Sequence, residues 1–264
     1  MIDFSHICGV ILDMDGVIWR GSEILPGVPA FFEFLASHHI PYVFATNNST
    51  RTPEMYTEKI SGLGIKVEIH QIVTSSLVTG RYLREHYPNA SKAYVVGQDG
   101  IYAALRGVGL EIVEDEQADF VVVGLDRTLT YAKLQAACYQ IQRGALFIGT
   151  NGDVTLPEPD GYIPGAGSIL ALLETATKQA PLIMGKPEKP MFEYALGVLG
   201  TTPETTLMIG DRVETDIWGA KRAGLPSALV LSGVSDEADL QSRHDYQPDG
   251  IYQDLADLQQ QWPR

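Results

Sequence analysis

Short apolar runs alternate along this chain with stretches whose apolar residues recur at helical spacing. The first run, Cys8-Gly9-Val10-Ile11-Leu12, stops at Asp13-Met14-Asp15-Gly16. An apolar run of this length, with Val and Ile in it, reads as a buried strand. Pro26-Gly27 opens a helix near Val28–Ser37, with Phe31, Phe34 and Leu35 on one side. Pro41 to Ala45 reads as a second strand. It ends in Thr46-Asn47-Asn48-Ser49-Thr50, and a helix from about Pro53 to Leu63 follows. Gln71–Thr74 reads as a third strand, with a helix through Leu83 behind it. Further on, strands are expected at Ala93–Val96, Phe120–Val123 and Ala145–Ile148, and helices at Gly100–Arg106, Tyr131–Gln142 and Ser168–Thr177. Thr150 to Gly167 reads as a long loop without structure of its own, and such loops are more often functional than idle. From Pro181 the steps shorten. Leu182–Met184 is a strand with Gly185-Lys186-Pro187 as its exit, and Met191–Leu199 is a helix. Thr206–Ile209 is a strand ending in Gly210-Asp211, Thr215–Ala223 a helix, Ala228–Leu231 a strand, and a last helix holds Leu255 and Leu258.

Alternation from end to end predicts an α/β fold with parallel layers. Residues from about 88 to 180 read as an α/β unit of their own. The length of 264 residues accommodates one large domain or two smaller ones. The formal net charge of -14 opposes a polyanionic partner, so no nucleic acid is expected. Cys8 and Cys138, far apart, make neither a disulfide framework nor a zinc site. The start lacks the pattern of a signal peptide, and no apolar run approaches the roughly 20 residues that span a bilayer. A cytoplasmic protein with no membrane partner is the expectation.

The chemistry gathers at strand exits. These are Asp13/Asp15, Thr46-Asn47-Asn48, Lys186, and Asp211 with Asp216. Taken alone, Asp13-Met14-Asp15-Gly16 reads equally as an acidic turn or as a site for a cation or shared proton. If the strands are parallel, all four exits lie on one edge of the sheet, where open α/β folds bind ligands. Carboxylates to hold Mg²⁺, a hydroxyl and amides for phosphoryl oxygens, and an ammonium for developing charge are an inventory for handling a phosphate.

These residues, in this order, resemble the four motifs of the haloacid dehalogenase superfamily. The narrower runs Ala45-Thr46-Asn47-Asn48-Ser49, Gly185-Lys186-Pro187 and Gly210-Asp211-Arg212-Val213-Glu214-Thr215-Asp216 are similar to its NagD-like branch of 4-nitrophenylphosphatases and phosphoglycolate or pyridoxal phosphatases. The resemblance covers essentially the whole chain. It implies a Rossmann-like three-layer parallel sheet core from residues 1–80 and 181–264, with an inserted α/β cap over 81–180. It also implies a Mg²⁺-dependent phosphomonoester hydrolase of small phosphorylated metabolites, acting through an aspartyl-phosphate.

The same resemblance assigns roles. Asp13 is the expected nucleophile, and Asp15 the acid that protonates the leaving oxygen and then activates water. Thr46, Asn47, Asn48 and Lys186 hold the phosphoryl group, and Lys186 also steadies Asp13. Asp13, the Asp15 backbone carbonyl and Asp211 bind Mg²⁺, with Asp216 behind them. Glu214 reads either as part of the metal surroundings or as a solvated first-turn residue. Asp15 sets the chain apart from dehalogenases, which lack this second acid, and from ion pumps, which carry Thr there. Leu156 stands where vertebrate-type pyridoxal phosphatases have a histidine, so the phosphoglycolate type is the better match. The branch also implies a homodimer through the cap.

Trp19, just after Asp15, reads equally as a lid over the site or as packing. His70, His86 and His244 lack metal-ligand spacing to one another. Two readings from other classes stand beside the hydrolase. One is a phospho-accepting signalling module, which pairs similar residues in another order on a shorter chain. The other is a non-catalytic binding protein on the same fold.

Overall fold

The computed structural model describes residues 2–158, 160–236, 240 and 247–263. His244 lies outside them. The described residues gather into two compact units. One holds the residues up to Thr46, Tyr56–Val73 and those from Lys186 onward; the other holds Asn47–Met55 and Thr74–Gly185.

The first unit is built on a six-stranded sheet in the order Gly250–Tyr252, Ser227–Val230, Thr206–Gly210, Gly9–Leu12, Tyr42–Thr46, Ile72–Thr74. Gly9–Leu12 pairs in parallel with Thr206–Gly210 on one side and with Tyr42–Thr46 on the other. All four of its residues are buried, which is why its sequence is continuously apolar rather than alternating. The register sets Leu12 beside both Ile209 and Phe44, so the residues that follow leave the sheet at one level. Phe31, Phe32 and Leu35 of the helix Val28–Ser37 pack into the core of this unit with Phe44, Trp19 and Trp262.

The second unit has a five-stranded sheet in the order Leu182–Ile183, Leu146–Gly149, Phe120–Val123, Lys92–Val96, Glu111–Ile112. Its core joins Val121, Val123 and Phe147 to Ile141 of the helix Tyr131–Gln142 and Leu173 of the helix Ala166–Thr177.

Two expectations are corrected. The strand before Lys186, Leu182–Ile183, pairs with Leu146–Gly149 in the second unit's sheet. Lys186 is therefore not an exit of the same sheet as Asp13. It enters the first unit ahead of the helix Lys189–Leu199, so three strand exits of that sheet carry the polar residues, not four. The stretch from Thr150 to Gly167 is not structureless either. Thr155–Glu158 and Gly161–Pro164 form an antiparallel hairpin. Of its eight residues six are exposed and two half-buried, so no alternation of apolar and polar positions marks it in the sequence.

Candidate active site

Asp13 is the first residue beyond the Gly9–Leu12 strand. Its N–H still donates to the Ile209 carbonyl at 2.9 Å, which fixes its backbone to the neighbouring strand. Asp211 follows Thr206–Gly210 directly, so the two carboxylates come together from strands almost two hundred residues apart. After Asp211 the chain makes a wide π-helical turn over Val213–Ile217 before the α-helix Trp218–Ala223. Such turns are rare and recur at functional sites. Here the turn points Asp216 back at the sheet edge, where its Oδ2 accepts the Arg212 N–H at 3.1 Å.

Lys186 ties these acids together. Its Nζ donates to Asp13 Oδ1 at 2.5 Å and to the Ala45 carbonyl at 2.8 Å, and lies 2.7 Å from Asp216 Oδ1. Its side chain is only 2% exposed. Asp216 is 1% and Asp13 13% exposed. Asp13, Asp211 and Asp216 each bring a carboxylate oxygen within 4.8 Å of the others.

Charges so placed shift one another. Burial is the largest influence on Asp13 and holds its carboxyl well above the ordinary range. Lys186 resists that rise, while Asp216 and Asp211 add to it. Burial likewise lifts Asp211 to about 7, with Asp216 adding to the rise and the Val234 N–H, Arg212 and Lys186 opposing it. Burial works against the Lys186 ammonium, but Asp13 and Asp216 override it and hold the amine above its usual range.

Three glycines, Gly16, Gly210 and Gly233, make room for these acids, and a Cβ on Gly233 would run into the Asp211 side chain. Gly16 has φ of +84°, and a Cβ there would lie 2.4 Å from Asp211 Oδ2. A Cβ on Gly210 would lie 2.3 Å from the Asp216 Cβ. Gly210→Ala should therefore push Asp216 off the Lys186 ammonium. The expected cost is about 1–3 kcal/mol in denaturant unfolding, with a loss of turnover in the folded protein. Unchanged stability and turnover would show that the close approach is not needed.

The other expected site residues are distributed as follows. Thr46 closes its strand, is 3% exposed, and stands next in the chain to the Ala45 carbonyl that Lys186 holds. Asn47 and Asn48 belong to the second unit. There the Asn47 Nδ2 donates to Asp153 Oδ2 at 3.1 Å, and its carbonyl accepts from Ser75 Oγ and Asn151 Nδ2. Asn48 Oδ1 accepts both the N–H and the hydroxyl of Thr50, an arrangement that shapes a turn. Glu214 is exposed, whereas Asp216 is one of the three clustered acids. Asp15 is exposed, and its Oδ1 accepts the Trp19 indole N–H at 2.7 Å.

The sequence reading passed over the loop Ser232–Ser235. The Val234 N–H donates to Asp211 Oδ2 at 2.7 Å, the Ser235 N–H to the Asp211 carbonyl, and Ser235 Oγ accepts the Val213 N–H. A Ser-Gly-Val-Ser turn just after a predicted strand was the signal available for it.

Among the described residues, no helix is long and apolar enough to cross a membrane. Comparison with known proteins agrees with the geometry. The haloacid dehalogenase-like hydrolase family matches residues 10–111, and a HAD-hydrolase-like family matches 183–258. The chain is 38% identical over 239 residues to an acid sugar phosphatase of Staphylococcus epidermidis, covering 90% of this chain and 92% of that one. It is 40% identical over 227 residues to the 5'-nucleotidase YutF of Bacillus subtilis, covering 86% and 88%. The solved 4-nitrophenylphosphatase of Thermotoga maritima superposes with a TM-score of 0.93 at 32% identity over 100% of both chains. With a parallel α/β core, clustered acids at its strand ends and relatives of this kind along nearly its whole length, the chain belongs to the haloacid dehalogenase-like hydrolases and is a phosphatase of that family.

Proposed function

We propose that this phosphatase is a Mg²⁺-dependent phosphomonoester hydrolase of small metabolites that works through an aspartyl-phosphate on Asp13. The observation that carries the reading is the Lys186 ammonium, buried between Asp13 and Asp216 with Asp211 close by. A buried lysine between buried acids is costly as a structural device, because desolvation offsets much of the attraction. It suits a site where further negative charge arrives.

The donor set fits Mg²⁺, a hard cation that takes carboxylate and carbonyl oxygens. Asp13, Asp211 and the Asp15 backbone carbonyl would hold it, with Asp216 beside them. Once bound, the cation supplies charge neutralisation for the phosphoryl oxygens. The remaining work falls to the chain's own groups. The Asp13 carboxylate attacks phosphorus while Asp15 gives its proton to the departing oxygen. Lys186 and Thr46 steady the phosphoryl oxygens, and Asn47 and Asn48 extend that contact in this reading. Asp15, now a carboxylate, takes a proton from the water that releases phosphate and regenerates Asp13. The proposed division of the chain is a core of residues 1–80 and 181–264 and a cap of 81–180, whose loops choose the leaving group.

The names of the relatives put sugar phosphates and nucleoside monophosphates first as substrates. The test is a panel of these esters with phosphoglycolate, pyridoxal phosphate and 4-nitrophenyl phosphate, with Mg²⁺ or with a chelator. Phosphate release that needs Mg²⁺ is expected. Release undiminished by the chelator, or no release from any ester, would overturn the reading.

The raised carboxyls make a second, activity-free prediction. Where Asp13 and Asp211 ionise later folded than unfolded, the native state binds more protons. Stability of the metal-free protein then falls as pH rises above about 4, the unfolded carboxylate value, and the part carried by Asp211 is lost by about 7. Mg²⁺ should relieve the repulsion that remains above that range. Its effect on the melting temperature should be larger at pH 8 than at pH 5.5, and an equal effect at both would contradict the assignment.

A further inference from the structure

The Asp15 carboxyl is anchored by a residue with no place in the scheme so far. From Met14 the chain makes a tight turn, with the Ile18 N–H donating to the Met14 carbonyl at 2.8 Å and the Gly16 N–H to the Trp19 carbonyl at 2.8 Å. Trp19 then pairs with Ile24 in a short hairpin. Its side chain is in the core of the first unit, and the residue is 1% exposed. One polar atom of that buried ring is used: Nε1 donates to Asp15 Oδ1 at 2.7 Å. Among the described residues this is the only hydrogen bond to the Asp15 carboxyl. On the face of the same indole, Lys59 Nζ lies 3.6 Å from the ring centroid, near the end of the helix Pro53–Gly62.

We propose that Trp19 is the positioning residue for proton transfer by Asp15, and that Lys59 strengthens its hold through the indole ring. An indole N–H can only donate, so Oδ1 is obliged to accept. The transferable proton is thereby confined to Oδ2, and a rigid, buried ring sets the direction in which Oδ2 points. A cation on the ring face draws electron density from the π system and makes the N–H a better donor. The bond from Asp13 to phosphorus forms, the bond from phosphorus to the leaving oxygen breaks, and the proton passes from Oδ2 to that oxygen. The reverse direction of the same anchor serves the second step, when Oδ2 accepts a proton from water.

This inference rests on the reading of Asp15 as general acid, so its test separates the two. Phenyl phosphate and 4-nitrophenyl phosphate have similar shapes. The nitrophenolate leaves as a stable anion and needs little protonation, whereas the phenolate needs the acid. kcat/KM for each reports events through the first irreversible step. Trp19→Phe keeps an aromatic ring and deletes the N–H. It should lower kcat/KM for phenyl phosphate by about tenfold or more and leave 4-nitrophenyl phosphate within about threefold of the parent. Lys59→Met, which leaves the indole in place, should act in the same direction with a smaller effect. It carries the test if the Phe variant does not fold. Asp15→Asn is the control and should show the largest discrimination. If Asp15→Asn discriminates and neither Trp19→Phe nor Lys59→Met does, the role of Trp19 is overturned and that of Asp15 stands. Equal losses on both esters in the Trp19 and Lys59 variants would mean packing alone. If Asp15→Asn does not discriminate either, the reading of Asp15 fails and the inference falls with it.

Discussion

Asp13→Asn should lose turnover by on the order of 10⁴-fold or more while keeping its circular dichroism and folding cooperatively. The change removes the oxygen proposed to attack phosphorus and little else. Asn occupies nearly the same volume, and the backbone N–H that ties position 13 to Ile209 is untouched. Lys186 keeps Asp216 and the Ala45 carbonyl as partners, so no buried charge is stranded. The mutual repulsion of Asp13 with Asp211 and Asp216 also disappears, which offsets the lost ion pair. A variant that is folded and still releases phosphate at a substantial fraction of the parent rate would remove Asp13 from the role of nucleophile.

Removing the lysine should do the opposite to the fold. Lys186→Met keeps the apolar stem and deletes an ammonium that is 2% exposed and held by two carboxylates. Breaking a buried ion pair by deleting one partner costs about 3–5 kcal/mol, because the remaining charge stays desolvated and uncompensated. Here two acids are left facing Asp211. The loss should therefore be larger at pH 8 than at pH 5.5, where Asp211, at about 7, is mostly protonated and neutral. Turnover should fall by about 10²-fold or more in the protein that remains folded, the scale of one lost charge-stabilising donor. Denaturant unfolding at the two pH values measures the first effect. A destabilisation independent of pH would show that the carboxylates do not depend on the lysine.

The two changes bear on one arrangement from opposite sides. In the proposed scheme, Asp13 is the group the chemistry consumes and regenerates. Lys186 is the group that lets several carboxylates share a small, buried space. The Gly210 and Gly16 contacts belong to the same economy of space, since a single methyl at either position would meet an acid.

Much of this was legible in the sequence, for a local reason. Asp13 and Asp211 each sit immediately beyond a buried, mostly apolar strand, so the run and its polar stop are visible within a few residues. Asp13 after Gly9–Leu12 and Asp211 after Thr206–Gly210 are both found this way. The strands Phe120–Val123 and the helix Tyr131–Gln142 were equally plain in their spacing. What was not legible depends on partners distant in the chain. Leu182–Ile183 looks like any short strand, and only its pairing with Leu146–Gly149 shows that it lies in another sheet from Asp13. The strands Glu111–Ile112 and Gly250–Tyr252 are too short to carry a period. The hairpin of Thr155–Pro164 has no buried face to leave a pattern. The π-helical turn at Val213–Ile217 reads as ordinary helix, because one extra residue in a turn changes no composition. Trp19 illustrates the limit from another side. The sequence leaves it equally a lid over the site or packing; the residue is buried in the core, and the direction of its one N–H is set by a turn and a hairpin that the sequence does not specify.

The central claim is that a covalent phosphoryl intermediate forms on Asp13, and it can be seen directly. The protein is mixed with 4-nitrophenyl phosphate and Mg²⁺, quenched in acid within one turnover, reduced with borohydride and digested. Borohydride converts an acyl phosphate on aspartate to homoserine, and mass spectrometry locates it. Homoserine at position 13 is the predicted result. Homoserine at position 15, or none anywhere while phosphate is being released, would contradict it.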